Sequence, residues 1–203
     1  MPKFHVPPQV VLASASPRRQ ELLKKVIKDF IVDPADLDED SLTLEDPFQT
    51  AESLALAKAE SVAQKRQTGD WYLGSDTVVA LPLAQGGYQQ FSKPLDTADA
   101  LSILTELSGK THFVITGIAI VAPHSTVCTH AIAEVEFHSV TTDQITEYIQ
   151  SGEPMDKAGA YGAQGMGAFL VKEIRGDFET VVGLPTDLVR TILQELDYPF
   201  ESK

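Results

Sequence analysis

Four clusters in this sequence carry the side chains best suited to chemistry. The first is Ser14-Ala15-Ser16-Pro17-Arg18-Arg19, which leaves a short apolar run and opens a helical pattern. A loop of this kind offers free backbone N–H groups and the positive end of a helix dipole, a ready place for an anion. Arg18 and Arg19 add planar forks that take a phosphate through two parallel hydrogen bonds. Residues 18–28 hold five basic groups and one acid. The alternative reading is a capped helix with solvated arginines.

Asp76 is the centre of the second cluster, Gly74-Ser75-Asp76-Thr77, inside the apolar run from Leu73 to Leu81. A carboxylate in such a run must be paired, bound to a metal or placed at a cleft, which makes it a candidate base or metal ligand. A structural aspartate that caps a neighbouring loop is the alternative. The third cluster is acidic: eight carboxylates between Asp29 and Asp46, with no basic residue among them. Within it, Asp38-Glu39 could hold Mg²⁺ or Mn²⁺, although composition alone favours a solvated acidic loop. Lys58, in an alanine-rich helical segment, and Lys93, in Ser92-Lys93-Pro94, are isolated cations that could point at a phosphate or reach for water. The fourth cluster, Met155 to Gly167, is too dense in glycine for ordinary structure and too apolar for a linker. Its Gln164 carries one amide donor group and one acceptor, enough to read a base edge.

The elements that must place these residues alternate between strand and helix. Strands are expected at Val10–Ala13, Phe30–Val32, Trp71–Leu81, Thr111–Val121, Val127–His138, Phe169–Glu173 and Thr180–Val182. Helices are expected after Ser16-Pro17, from about Thr50 to Gln67, from a Thr97 cap to Leu107, from a Thr141/Gln144 capping box to Ser151, and from Pro185 to about Leu196. Pro82 to Gln90 reads as a hairpin-like loop around Gly86-Gly87. The pattern predicts an α/β fold, a mixed sheet flanked by helices.

Two motif-like segments carry no function. Gly109-Lys110-Thr111 looks like the end of a phosphate-binding loop, but Leu104 occupies the position of its first glycine. The five histidines show no helical metal-binding pair, and none is assigned a role.

Composition narrows the class. The 203 residues hold 43% hydrophobic and 22% charged side chains, the usage of a globular domain with its own core. Sixteen Lys and Arg stand against 29 Asp and Glu, a net charge of -13, which disfavours binding to a nucleic-acid polymer. One cysteine, Cys128, rules out an internal disulfide and suits a reducing, cytoplasmic setting. Met1 to Val10 shows no apolar leader. The uncharged stretch from Thr111 to Ala133 is broken by Gly117 and Pro123, so it reads as two strands rather than a membrane span.

Taken in order, seven segments resemble the Maf family of nucleoside triphosphate pyrophosphatases: residues 12–23 (LASASPRRQELL), 37–39 (LDE), 54–59 (LALAKA), 74–79 (GSDTVV), 92–94 (SKP), 156–165 (DKAGAYGAQG) and 181–185 (VVGLP). The resemblance runs from Leu12 to about Arg190. It implies one elongated, two-lobed domain over residues 1–203 with a central cleft, similar in architecture to inosine triphosphate pyrophosphatases. It also implies hydrolysis of a nucleoside triphosphate to monophosphate and pyrophosphate with a divalent metal, Mg or Mn, by a protein that is commonly a homodimer.

By the same resemblance, Asp76 is the proton acceptor, with Asp76 and Glu39 at the metal. Ser14, Arg18, Arg19, Lys58, Thr77, Lys93 and Gln164 match substrate positions. Arg18, Thr77 and Gln164 match the branch that acts on dTTP and UTP; the 7-methyl-GTP branch differs at all three. A neutral Gln164 suits the carbonyl and imino edge of uracil or thymine, whereas a glutamate would suit a cationic methylated guanine. Ala163, in place of a commoner isoleucine, and a long, glutamine-rich 82–91 loop depart from the family pattern. The alternatives are 7-methyl-GTP or another modified nucleotide as substrate, or a non-enzymatic, nucleotide-binding regulator of cell division.

Overall fold

The computed structural model describes residues 9–200 of the chain. The reading of Met1 to Val10 therefore lies mostly outside the described residues. The strands are β1 (Val10–Leu12), β2 (Ile31–Val32), β3 (Trp71–Pro82), β4 (Tyr88–Phe91), β5 (Thr111–Val121), β6 (Thr126–Phe137) and β7 (Val171–Gly176). The helices are α1 (Pro17–Leu23), α2 (Pro47–Arg66), α3 (Thr97–Leu107), α4 (Thr142–Gln150), α5 (Phe178–Val182) and α6 (Thr186–Glu195). The strands form one mixed sheet in the order β2-β1-β3-β5-β6-β7, with β4 also on β3, so the expected α/β class holds.

Register explains where a cleft can form. On one edge, β3 pairs with β5 continuously from Tyr72 to Ala80. On its other edge, β1 pairs only with Trp71 to Leu73 and β4 only with Val79 to Pro82. Between these partners, residues 74–78 face no strand. The sheet has a gap there, and the gap falls on the Ser75-Asp76-Thr77 segment.

The two sheet faces are covered differently. Strands expose alternate residues to opposite faces. On one face, α2 lies across β3 and β5 through Ala51, Ala55, Ala59 and Val62. It sits very close: a Cβ added at Gly74 would come 2.0 Å from the Ala55 carbonyl oxygen, and one at Gly117 would come 2.0 Å from that of Ala51. Only glycine permits this approach. On the other face there are two apolar cores. One joins Trp71 and Leu73 to α1 and α6, and the other joins Val79 and Leu81 to α3 and α4. These are the two expected lobes.

Between the lobes, the sheet presents hydroxyls rather than methyls. Ser75 Oγ donates to the Gly183 carbonyl, Thr116 Oγ1 donates to that of Thr180, and the Thr77 and Thr116 hydroxyls lie 3.0 Å apart.

Several boundaries differ from expectation for identifiable reasons. Thr180–Val182 belongs to α5, not a strand. Asp177 takes the Glu179 and Thr180 amides, Gly183 closes the turn at φ 117, and these caps override the β-branched side chains. Helix α2 begins at Pro47, capped by Asp46, rather than at Thr50. Asp96, not Thr97, caps α3. The Thr141/Gln144 capping box forms as expected. The last strand begins at Val171, because Phe169 lies in the 3-10 turn Gly165–Leu170. No helix among the described residues is long and apolar enough to cross a membrane.

Candidate active site

The gap in the sheet opens into a cavity of about 620 Å³, a size usual for small-molecule sites. Its walls include all nine residues singled out from the sequence, Ser14, Arg18, Arg19, Glu39, Lys58, Asp76, Thr77, Lys93 and Gln164, together with the turns that carry them.

Arg19 is the best-fixed of them. Its Nε donates to the Gly183 carbonyl at 3.0 Å, Nη1 to Ser14 Oγ at 3.3 Å and Nη2 to Thr77 Oγ1 at 3.2 Å. All three acceptors are neutral, and among the described residues no carboxylate forms an ion pair with it. Burial pushes the guanidinium below its ordinary pKa, against the pull of Asp76 and Glu39. A partly buried cation held only by neutral acceptors is a favourable place for an anion. The serine and the threonine thus aim the arginine. Helix α1 is only seven residues long, and Ser16 already accepts the Arg19 amide, so the guanidinium outweighs the helix dipole here.

Across the gap, Lys58 bridges two carboxylates. Its Nζ lies 2.5 Å from Asp76 Oδ1 and 2.9 Å from Glu39 Oε1. Lys58 and Asp76 are both buried. Lys58 comes from α2 and Asp76 from β3, opposite Gly117 on β5, so the glycines that let α2 lie flat also bring this pair into contact. Burial pushes the Glu39 carboxyl up, but Lys58, Lys93 and Arg19 together hold it below the ordinary carboxylate value. Two other carboxylates of the acidic segment are structural: Asp33 pairs with Lys65 and Arg66, and Asp46 caps α2.

Arg18 is half-exposed at the rim and meets Asp156 at 3.2 Å, and Lys157 meets the same carboxylate at 2.6 Å. This contact links α1 to the glycine-rich turn across the mouth of the cleft. Lys93 and Gln164 line the cavity with no ion pair or side-chain hydrogen bond to another described residue. Their polar ends remain available.

No group of three or more His, Cys, Asp or Glu with metal-site spacing occurs among the described residues. A site made of protein ligands alone is therefore missing. Glu39 and Asp76 each spend one carboxylate oxygen on Lys58 and keep the other free of hydrogen bonds to described residues. Magnesium-type ions commonly bind through one or two carboxylates plus substrate phosphates, and that donor set fits.

Sequence reasoning missed Glu153, Tyr148, Asp156 and His112. Glu153 and Tyr148 organise the glycine-rich turn, and Asp156 neutralises Arg18. His112 is buried beneath the cleft wall, where its Nε2 meets the Tyr161 hydroxyl at 2.9 Å. Asp156 opens the 156–165 segment but received no role there; Glu153, Tyr148 and His112 belong to no motif with a chemical reading of its own, and only the glycine spacing hinted at the first two.

A split mixed sheet, with a basic and carboxylate-lined cavity in the split, defines a class of phosphate-handling α/β protein. Comparison then places the chain: residues 9–196 match the Maf-like protein family, and the chain belongs to it. It is 43% identical over 189 residues to a dTTP/UTP pyrophosphatase of Aquifex aeolicus, covering 93% of this chain and 96% of that one. It is 46% identical over 187 residues to a dTTP/UTP pyrophosphatase of Moorella thermoacetica, covering 91% and 93%. Among solved structures, a HAM1 protein from Coxiella burnetii aligns over 93% of this chain and 99% of that one, at 18% identity and a TM-score of 0.49.

Proposed function

We propose that this chain hydrolyses nucleoside triphosphates, with dTTP and UTP as substrates, to the monophosphate and pyrophosphate. The observation that carries the reading is Arg19: a partly buried guanidinium in the cleft, aimed by Ser14 and Thr77 and lacking a carboxylate partner among the described residues. The triphosphate supplies the missing negative charge. Lys93, and Arg18 once it leaves Asp156, take further phosphate oxygens.

Glu39 and Asp76 would hold Mg²⁺ or Mn²⁺ through their free oxygens. Such an ion, when bound, screens the triphosphate and acidifies a water. Water attacks the α-phosphorus, the bond from that phosphorus to the bridging oxygen breaks, and pyrophosphate leaves. The free oxygen of Asp76 is placed to take the water's proton, or to hold the ion that orients it. Lys58 keeps Asp76 and Glu39 together and offsets part of their mutual repulsion. Gln164, whose amide is unspent, reads the pyrimidine edge. The chain works as one domain, and as a homodimer in the cytoplasm, which light scattering and fractionation check.

The test is pyrophosphate release with Mg²⁺ or Mn²⁺ from dTTP, UTP, 7-methyl-GTP and the other common triphosphates. Release from dTTP and UTP, with little from 7-methyl-GTP, is expected. Asp76→Asn should lower turnover by roughly a thousandfold or more while the fold survives, since it removes both roles assigned to that carboxylate. Unchanged turnover in the variant overturns the mechanism. No pyrophosphate from any nucleotide overturns the enzymatic reading in favour of a binding protein.

A further inference from the structure

The glycine-rich turn that carries Gln164 is built around one carboxylate. Glu153 Oε1 accepts from the Tyr148 hydroxyl at 2.9 Å and from the Gly167 amide at 3.1 Å, and its Oε2 accepts from the Met166 amide at 3.0 Å. The Tyr148 hydroxyl, while donating to Glu153, accepts from the Gly162 amide at 3.1 Å. Lys157 Nζ donates to the Glu153 backbone carbonyl at 2.5 Å. The chain is thus pinned two residues before Gln164 and again two and three residues after it.

The same two side chains account for the glycines. A Cβ at Gly162 would come 2.9 Å from Glu153 Oε1, and one at Gly165 would come 2.8 Å from Oε2. A Cβ at Gly167 would come 2.5 Å from the Tyr148 hydroxyl. Any side chain at these places would push the turn off its anchor. Glu153 touches neither the cavity nor the other cleft carboxylates, so it has no part in the chemistry at Asp76. Its ties are charge-assisted hydrogen bonds to backbone amides, the kind that fix a loop most firmly.

We propose that Glu153, with Tyr148, is a positioning residue for base selection, holding the turn so that Gln164 meets the pyrimidine edge. This rests on the reading that Gln164 contacts the base. Misplacement of a recognition group by about 1 Å can cost on the order of a hundredfold in rate, so the effect should be easy to measure.

Steady-state kinetics on UTP and CTP decide it, using Glu153→Gln, Tyr148→Phe, Gln164→Ala and the Glu153→Gln/Gln164→Ala double variant. Glutamine keeps the shape of Glu153 but cannot accept at both ends. Its KM for UTP should rise about tenfold with kcat changed less than about threefold, and the UTP-to-CTP preference should shrink about tenfold. Gln164→Ala should shrink the preference equally, and the double variant should be no worse than either single one. Tyr148→Phe, which loses the Gly162 tie and the hydroxyl bond to Glu153 but leaves the Met166 and Gly167 amides on Glu153, should show a smaller change in the same direction and serves as the reading if Glu153→Gln does not fold. Additive losses in the double variant, or loss of kcat without loss of preference, overturn the positioning role. If Gln164→Ala abolishes the preference while Glu153→Gln and Tyr148→Phe keep it, the proposal fails and the base reading stands. If Gln164→Ala keeps the preference, the base reading fails and this proposal falls with it.

Discussion

Asp76 and Arg19 show how far a single residue can be read before a structure exists. A carboxylate inside an apolar strand has few explanations: it is paired, bound to a metal, set at a cleft or used as a cap; here it is paired, with Lys58 at 2.5 Å. Arginines beside a serine-rich strand end suggest an anion site, but their division of labour needs three dimensions. Arg19 is partly buried and aimed, whereas Arg18 is spent at the rim on Asp156. His112 could not be read, because a lone histidine on a strand has no spacing to interpret. Its environment makes it a measurable probe. The ring is fully buried against Phe137 and Tyr161, its Nδ1 has no partner, and burial pushes its pKa down to about 4. In the unfolded chain the imidazole titrates near 6.5, so between those values the unfolded state binds the extra proton. Stability should therefore fall as pH drops from 6.5 towards 4, by roughly 3 kcal/mol from this group alone. Urea unfolding of His112→Gln at pH 7 and pH 4.5 should show a smaller loss than the unaltered protein. Equal losses would mean that other groups carry the acid sensitivity.

At the scale of elements, periodicity located nearly every strand and helix, and end effects decided the errors. The Thr-Val-Val of α5 has the composition of a strand, yet Asp177 at one end and Gly183 at the other close a helical turn over it. Asp46-Pro47 and Ser16-Pro17 are the same cap signal, recognised at only one of the two. The decisive contact between elements was invisible in one dimension. Nothing in the sequence says that Gly74 and Gly117 sit side by side beneath α2, because their proximity depends on the β3–β5 register. That contact sets the distance between Lys58 and Asp76, so its loss should damage stability and activity together. Gly117→Ala should destabilise the fold by about 3 kcal/mol, at the upper end of overpacking costs, because the added methyl would meet backbone rather than a movable side chain. Thermal unfolding and UTP turnover of the same preparation check this. A stable variant with lost turnover would separate the spacing of the pair from the packing of the helix.

For the whole molecule, the net charge of -13 argues against polymers of nucleic acid but says nothing about one pocket. The basic residues that matter converge only after folding: Arg19 from α1, Lys58 from α2 and Lys93 from the turn after β4. The break in the sheet brings about that convergence, and it has a further effect. Leu73 gives its carbonyl to the Ala13 amide of the β1 side, so by strand alternation the amides of Ser75 and Thr77 point into the gap, while those of Gly74 and Asp76 point at β5. The free protein carries a short stretch of raw sheet edge, and a nucleotide bound in the cavity as proposed would lie where the absent strand would run. Amide hydrogen exchange at Ser75 and Thr77 should slow when nucleotide is added, with Gly74 and Asp76 unchanged as internal references. The substrate would then complete the architecture as well as occupy it, and turnover, by releasing monophosphate and pyrophosphate as separate pieces, would unzip the edge again at the end of every cycle.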